Sequence, residues 1–409
     1  MGTGAAKVTI VGGGVAALEA LIALRRLAED RVDLELVSPR ADWAYRPLTV
    51  AEPFGLGKVK RYDLVGIAAD HGARLHLAGV QSVDLDRRRL NTWDGRALDY
   101  EILLIAIGAV PTASVPGSIT LERPAFTGRF RVLLRDLEDG RSRRIAFAVP
   151  GGSSWPLPLY EVALMTAAHA AERGLEGPEL SLVSPEQEPL ELFGPTPASA
   201  VRDLLDARGI EFHGGRHPVA FRDGELTLVP EASIGADSVV SLPRLRGPAL
   251  PGLPHDGAGF IPTDRFGRVD HEPDVYAAGD VTSWPIKQGG VAAQQADVAA
   301  ESIAARLGAD VAPAPFKPVL RGLLLTGREP RFMRSEAGGP ADRPPESSPQ
   351  PLWWPPSKVS ARWLAPYLAV HHGDAEIRPD GPALEVNAPL DVGDGSAGGP
   401  RDRLRAPGR

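Results

Sequence analysis

The stretch 7-KVTIVGGGVAALEALIALRRLA-28 decides the fold. Lys7 to Val11 form a short apolar run, glycines at 12, 13 and 14 punctuate it, and apolar residues then return at helical spacing, which predicts strand, turn and helix. Within this unit Gly12, Gly14 and Ala17 match G-x-G-x-x-A. The first glycine permits the tight turn, and the second lets a pyrophosphate reach the backbone. The small third residue allows close helix–strand packing, with the helix head, Val15 and Ala16, facing the phosphates. The next strand, 33-DLELVSPR-40, ends on Ser38 and Pro39, where such folds usually place an Asp or Glu on the ribose. A serine hydroxyl can still hydrogen-bond a ribose, more weakly.

The rest of the composition narrows the chemistry. A chain of 409 residues has room for two or three domains, each with a proper core. With 45 basic residues against 52 acidic ones, and no basic stripe, a nucleic-acid partner is not expected and a small substrate is. Cysteine is absent, which rules out a structural disulfide, a thiolate-held metal or iron–sulfur cluster, and a protein dithiol mechanism. Redox chemistry would need a cofactor. No metal site is expected. The apolar strand begins within a few residues of Met1, so a cytoplasmic protein is expected. The apolar run 102-ILLIAIGAV-110 is far shorter than the roughly 20 residues that span a bilayer, so membrane contact would be at most peripheral.

Two later segments join the first. In 98-LDYEILLIAIGAVPT-112 a strand closes on Gly108 and Pro111; in 275-VYAAGDVTSWPIKQGGVAAQQA-296 a short buried strand ends on Gly279 and Asp280, with a helix expected from about Gly289. With these motifs the chain resembles the FAD-dependent pyridine nucleotide oxidoreductase superfamily. The turn 45-YRP-47 brings it nearest the sulfide:quinone oxidoreductase, flavocytochrome c sulfide dehydrogenase and type II NADH dehydrogenase branch. The resemblance implies an α/β fold of two Rossmann-type domains, one inserted in the other, plus a small C-terminal domain. It implies that Gly12, Gly14, Val15, Ala16 and Ala17 hold the FAD pyrophosphate, that Ser38 and Pro39 meet the ribose, and that Val83 meets the adenine. Ala106 and Gly108 would line the cofactor, Gly279 and Asp280 would bind the ribityl chain, and Tyr45, Arg46 and Pro47 would approach the isoalloxazine. Lys287 and Gln288 would lie at the flavin edge, with Lys287 stabilising charge on the reduced ring; a solvated surface lysine is the alternative.

A second strand–turn–helix unit, 144-RIAFAVPGGSSWPLPLYEVALMTAAHAAER-173, predicts the inserted domain. Gly151 and Gly152 open its turn, and Glu161 matches the acid that closes G-x-G-x-x-G-x-E in relatives that use NAD(P)H. The third glycine is missing, and Trp155, Pro156 and Pro158 crowd the loop. In the sulfide:quinone branch this loop carries a redox cysteine, which this chain lacks. Trp155 could wall a substrate pocket beside the flavin, obstruct a nucleotide, or pack on the neighbouring helix. Glu186, after the strand 180-LSLVSP-185, suits a ribose diol and so favours NADH over NADPH.

The expected domains are residues 1–115 and 251–310 for FAD, 116–250 for the insert, 311–372 for a capping or interface domain and 373–409 for a disordered tail. Residues 335–350 have the composition of a mobile loop. Trp353, Trp354, Trp363 and Tyr367 could cap the flavin, form a homodimer surface, touch a membrane or simply pack. The expected function is transfer of a hydride or two electrons from NAD(P)H or another small donor, through noncovalent FAD, to a quinone-like or other small acceptor. A flavin-binding regulatory partner without catalysis, and a sulfide- or thiol-oxidising flavoenzyme without its own cysteines, are the alternatives.

Overall fold

The computed structural model describes residues 4–121, 125–336 and 343–372. Strand Ala6–Val11 is the centre of a five-stranded parallel sheet. Val32–Ser38 and then Ala73–Leu77 lie on one side of it, Ile102–Ile105 and then Val275–Ala277 on the other. Its strands are mostly buried along their length, Ile102–Ile105 and Val275–Ala277 entirely so, as in a sheet covered on both faces. On one face lie helices Val15–Ala28 and Gly289–Arg306, which meet through Ala16, Ala20, Ala23, Ala292, Ala296 and Ala300. These small side chains let two helix axes come close above the strand ends. The other face is covered by an antiparallel sheet, Val80–Asp84, Arg89–Thr92 and Ala97–Asp99, with Val11, Val37, Leu103 and Ile105 packing under Leu90 and Leu250.

Between Ile105 and Val275 the chain builds a second five-stranded parallel sheet, in the order Ile119–Thr120, Ser238–Ser241, Arg144–Ala148, Glu179–Val183, Ile210–His213. Helices Phe126–Glu138, Leu157–Glu172 and Pro195–Ala207 accompany it. One Rossmann-type domain is thus inserted in another. Helix Leu157–Glu172 begins at Pro156, its N-cap, and carries Pro158 in its first turn, where a missing N–H costs nothing. The prolines that make this loop look damaged in sequence are its helix-start signal.

The C-terminal part is an antiparallel sheet of Val319–Leu324, Arg331–Glu336 and Glu346–Ser348, followed by helix Leu364–His372. The third strand corrects the expectation of a mobile loop at residues 346–348, which complete the edge offered by Phe332, Met333 and Arg334, while residues 337–342 of that expected loop lie outside the described residues. The expected disordered tail, 373–409, lies outside the described residues. Of the aromatic cluster, Trp353 is buried edge-to-face on Phe332 and donates to Ser357 O at 3.0 Å, and the Tyr367 hydroxyl bonds Asp70 at 2.5 Å. Trp363 is half-buried and Trp354 is exposed. Packing therefore occupies most of this cluster. Among the described residues no helix is long and apolar enough to cross a membrane.

Candidate functional site

The two domains and the C-terminal sheet enclose one cleft of about 1020 Å³. Its floor is the turn after Ala6–Val11. Gly12 has φ +139°, and a Cβ there would lie 2.2 Å from Ala106 O, so only glycine closes this turn. A Cβ on Gly14 would meet nothing within 4 Å, which leaves its backbone open to the cleft. A Cβ on Gly279 would lie 3.0 Å from Ala16 Cβ and 3.4 Å from Ala292 Cβ, so this residue fills the notch where the two helix N-termini converge. A cradle of bare backbone between two positive helix ends fits the pyrophosphate of FAD. Val15, Pro39, Arg46, Pro47, Gly108 and Asp280 line the same cleft.

The strand-end turn is braced by a residue whose role is not evident in the sequence. Gln295 accepts the Gly279 N–H at 2.7 Å and donates to Thr282 Oγ1 at 3.2 Å, while Thr282 Oγ1 donates to Gly279 O at 2.9 Å. Its only signal is a glutamine on the apolar face of an alanine-rich helix. Burial pushes the Asp280 carboxyl above its usual range, and Lys287 opposes that shift. Lys287 is 9% exposed, so the reading of a solvated surface lysine falls. Its ammonium donates to Thr282 O and stands 3.9 Å from the centre of the Phe260 ring. Burial lowers its pKa to about 8 against the pull of Asp280 and Asp256.

Several expected contacts are placed elsewhere. The Val83 N–H donates to Pro251 O at 2.9 Å, and its side chain packs under the first sheet. Ala78, Gly79 and Val80 line the cleft in its stead. Ser38 lines the cleft, but its hydroxyl donates to Arg40 O at 2.9 Å, leaving it only acceptor capacity toward a ribose. Gln288 does line the cleft beside Lys287, and its side chain caps helix Gly289–Arg306 by accepting from Val291 N at 2.7 Å and donates to Arg321 O. Tyr45 faces away from the cleft into Trp43 and Tyr62 and accepts the Val359 N–H at 3.0 Å.

At the second domain, Gly152, Ser153, Ser154, Trp155 and Pro158 line the cleft, whereas Gly151 sits behind it near His217. Trp155 packs edge-to-face on Phe193 at 5.6 Å and presents its remaining surface to the cleft, where Trp284 also stands. Glu161 is fully buried; its carboxylate binds Lys358 Nζ at 2.5 and 2.6 Å and accepts the Leu325 N–H at 2.8 Å. This acid borders the cleft and ties helix Leu157–Glu172 to the C-terminal segment, which engages its carboxylate oxygens. Glu186 is absent from the cleft: it accepts from Tyr160 OH at 2.9 Å and Ser184 Oγ at 3.0 Å, and burial raises its pKa to about 7. The basis for preferring NADH goes with it.

Among known proteins, monodehydroascorbate reductase 4, peroxisomal, of Arabidopsis thaliana is 26% identical over 306 residues, 68% of this chain; the chain spans 60% of that relative. The sulfide:quinone oxidoreductase of the hyperthermophilic bacterium Aquifex aeolicus superposes with a TM-score of 0.74 at 18% identity, covering 84% of this chain and 87% of that one. The ferredoxin reductase for the CYP199A2 system of Rhodopseudomonas palustris superposes with a TM-score of 0.61 at 20% identity, over 80% and 81% of the two chains. These structural likenesses speak to the fold. Residues 6–301 match the pyridine nucleotide-disulphide oxidoreductase family, and with the glycine cradle in place the chain belongs to that family of FAD-dependent oxidoreductases, as a member without any cysteine.

Proposed function

We propose that this chain passes a hydride or two electrons from NAD(P)H or another small donor, through noncovalently held FAD, to a quinone-like or other small acceptor. The observation that carries this reading is the continuity of the cleft: walls suited to a dinucleotide run without a break into Trp155, Pro158, Leu242 and Trp284. When bound, FAD supplies the two-electron chemistry that a chain without thiols lacks. The protein's own residues hold and tune it. Gly14 and the two helix ends receive the phosphates, and the Gln295–Thr282 brace keeps the Gly279 turn in place. Lys287 keeps a positive charge in the cleft wall below a pH of about 8, where it offsets negative charge gained by the reduced cofactor. Two indoles, a leucine and a proline favour a planar, apolar substrate and exclude water around it.

The N-terminal end of helix Leu157–Glu172 reaches the cleft through Leu157 and Pro158, which supports entry of a nicotinamide nucleotide from that side. Glu186 is turned inward and Glu161 is held by Lys358 and Leu325, so neither of these two carboxylates is placed to select a ribose diol. NADH and NADPH should therefore reduce the flavin with apparent affinities within about tenfold of each other. Anaerobic titration of the purified yellow protein with NADH, NADPH and sulfide, read as bleaching of the flavin, tests both statements. A strong preference for one nucleotide would return a selecting residue to the site; a flavin that no donor bleaches would sink the catalytic reading.

A further inference from the structure

Trp93 is 72% exposed, yet it lines the same cleft as the glycine turn. It sits in the turn between strands Arg89–Thr92 and Ala97–Asp99, and the protein holds that turn firmly. Trp93 N donates to Gly79 O at 2.9 Å, Thr92 Oγ1 bonds Asp94 and Arg96 O, and Arg96 reaches Leu77 O at 2.9 Å, locking the turn to the end of strand Ala73–Leu77. The indole edge lies against Gly79. A Cβ there would come 2.9 Å from Trp93 Cδ1 and 3.9 Å from Pro39 Cβ, so glycine is what lets the ring settle over this spot. A bare indole on a rigid support, with one side against backbone and the rest open to a binding cleft, is built to stack.

The strand order says on what. A Rossmann-type sheet holds the two halves of a dinucleotide across the crevice where strand order reverses, here at Ala6–Val11. Gly279 and Asp280 follow strand Val275–Ala277 on one side; Trp93 and Gly79 stand beyond Val32–Ser38 and Ala73–Leu77 on the other. Gly79 lies beside Trp93, with Pro39 near the same spot, and Ser38, Ala78 and Val80 line the same cleft. Resting on the FAD reading above, we infer that Trp93 is the stacking platform for the adenine ring of FAD and makes this site prefer FAD over flavins that lack the adenosine half.

The test uses the holoprotein and the variants Trp93→Ala and Trp93→Phe. Release of FAD on dilution is followed by flavin fluorescence, and FMN binding is measured alongside. Loss of one base–aromatic stack should weaken FAD binding by about tenfold in Trp93→Ala, while Trp93→Phe stays within about threefold of the wild type. FMN affinity should be the same in all three proteins. A drop in tryptophan emission on FAD binding should be smaller in Trp93→Phe than in the wild type. Equal FAD retention by wild type and Trp93→Ala would overturn the inference alone, as would a parallel loss of FMN. A wild type that holds no FAD would instead overturn the cofactor reading and this inference with it.

Discussion

Two glycines two positions apart in the same turn do opposite work. Gly12 is held in a backbone conformation that side chains avoid, with Ala106 O where a Cβ would go; Gly14 is extended at φ −103° and faces open space. Gly12→Ala should therefore cost stability, on the order of 3 kcal/mol, because a backbone oxygen has to move. Gly14→Val should leave the thermal transition of the flavin-free protein unchanged and abolish FAD retention, because the branched side chain stands where the phosphates would approach. Melting curves and flavin content, measured together, separate the two; equal loss of fold in both variants would count against the assignment of roles. The glycines were legible in the sequence because a turn's need for glycine is local. Glu161 and Glu186 were not, because burial depends on Lys358, Leu325 and Tyr160, which only the folded chain brings to them.

At the scale of elements, helices Val15–Ala28 and Gly289–Arg306 were legible from their apolar periodicity, but the acids inside their interface were not. Glu19 accepts the N–H groups of Trp363 at 2.9 Å and Leu364 at 2.6 Å, capping the start of helix Leu364–His372. It stands beside Asp297 of the second helix, and Arg362, paired with Glu301 at 3.0 Å, lies nearby. Burial raises the Glu19 pKa from 4.5 to about 7, and burial together with Glu19 raises that of Asp297. Because the folded pKa lies above the unfolded one, the stabilising effect is complete below pH 4.5 and is lost as pH rises through about 7. Both carboxyls of the pair act in this direction, so the fold should weaken as pH rises through these limits. Glu186 adds a change of the same sign. Asp297→Asn should narrow the stability difference between pH 5.5 and pH 8 measured by urea unfolding, and an unchanged difference would show that Asp297 does not contribute to it.

The whole molecule holds its cleft by contacts between distant parts of the chain, which is why the sheets were legible in outline and the site between them only in part. Strand and helix patterns are written within windows of a dozen residues, whereas the cleft wall joins Leu157, Trp284, Arg321 and Lys358 from four separate segments. The clearest tie is Glu161 with Lys358, 7% exposed in its side chain, and Leu325: one carboxylate meets a lysine and a backbone N–H from the C-terminal segment. A charge buried in this way is costly to leave uncompensated, while a matched apolar or neutral replacement of both partners is not. Lys358→Met should therefore destabilise the protein by about 3 kcal/mol, because the Glu161 carboxylate keeps its burial and loses the ammonium. Glu161→Gln should cost less, since its amide oxygen can still accept from Leu325 and a lysine can release its proton. Combining the two should recover much of the loss, giving a coupling energy of about 1.5 kcal/mol or more in a double-mutant cycle. Urea unfolding of the four proteins at pH 7 measures this. Additivity to within about 0.5 kcal/mol would mean that the ion pair does not join the domains energetically, and that apolar contacts such as Leu320 and Leu324 against the second core hold the cleft in shape on their own.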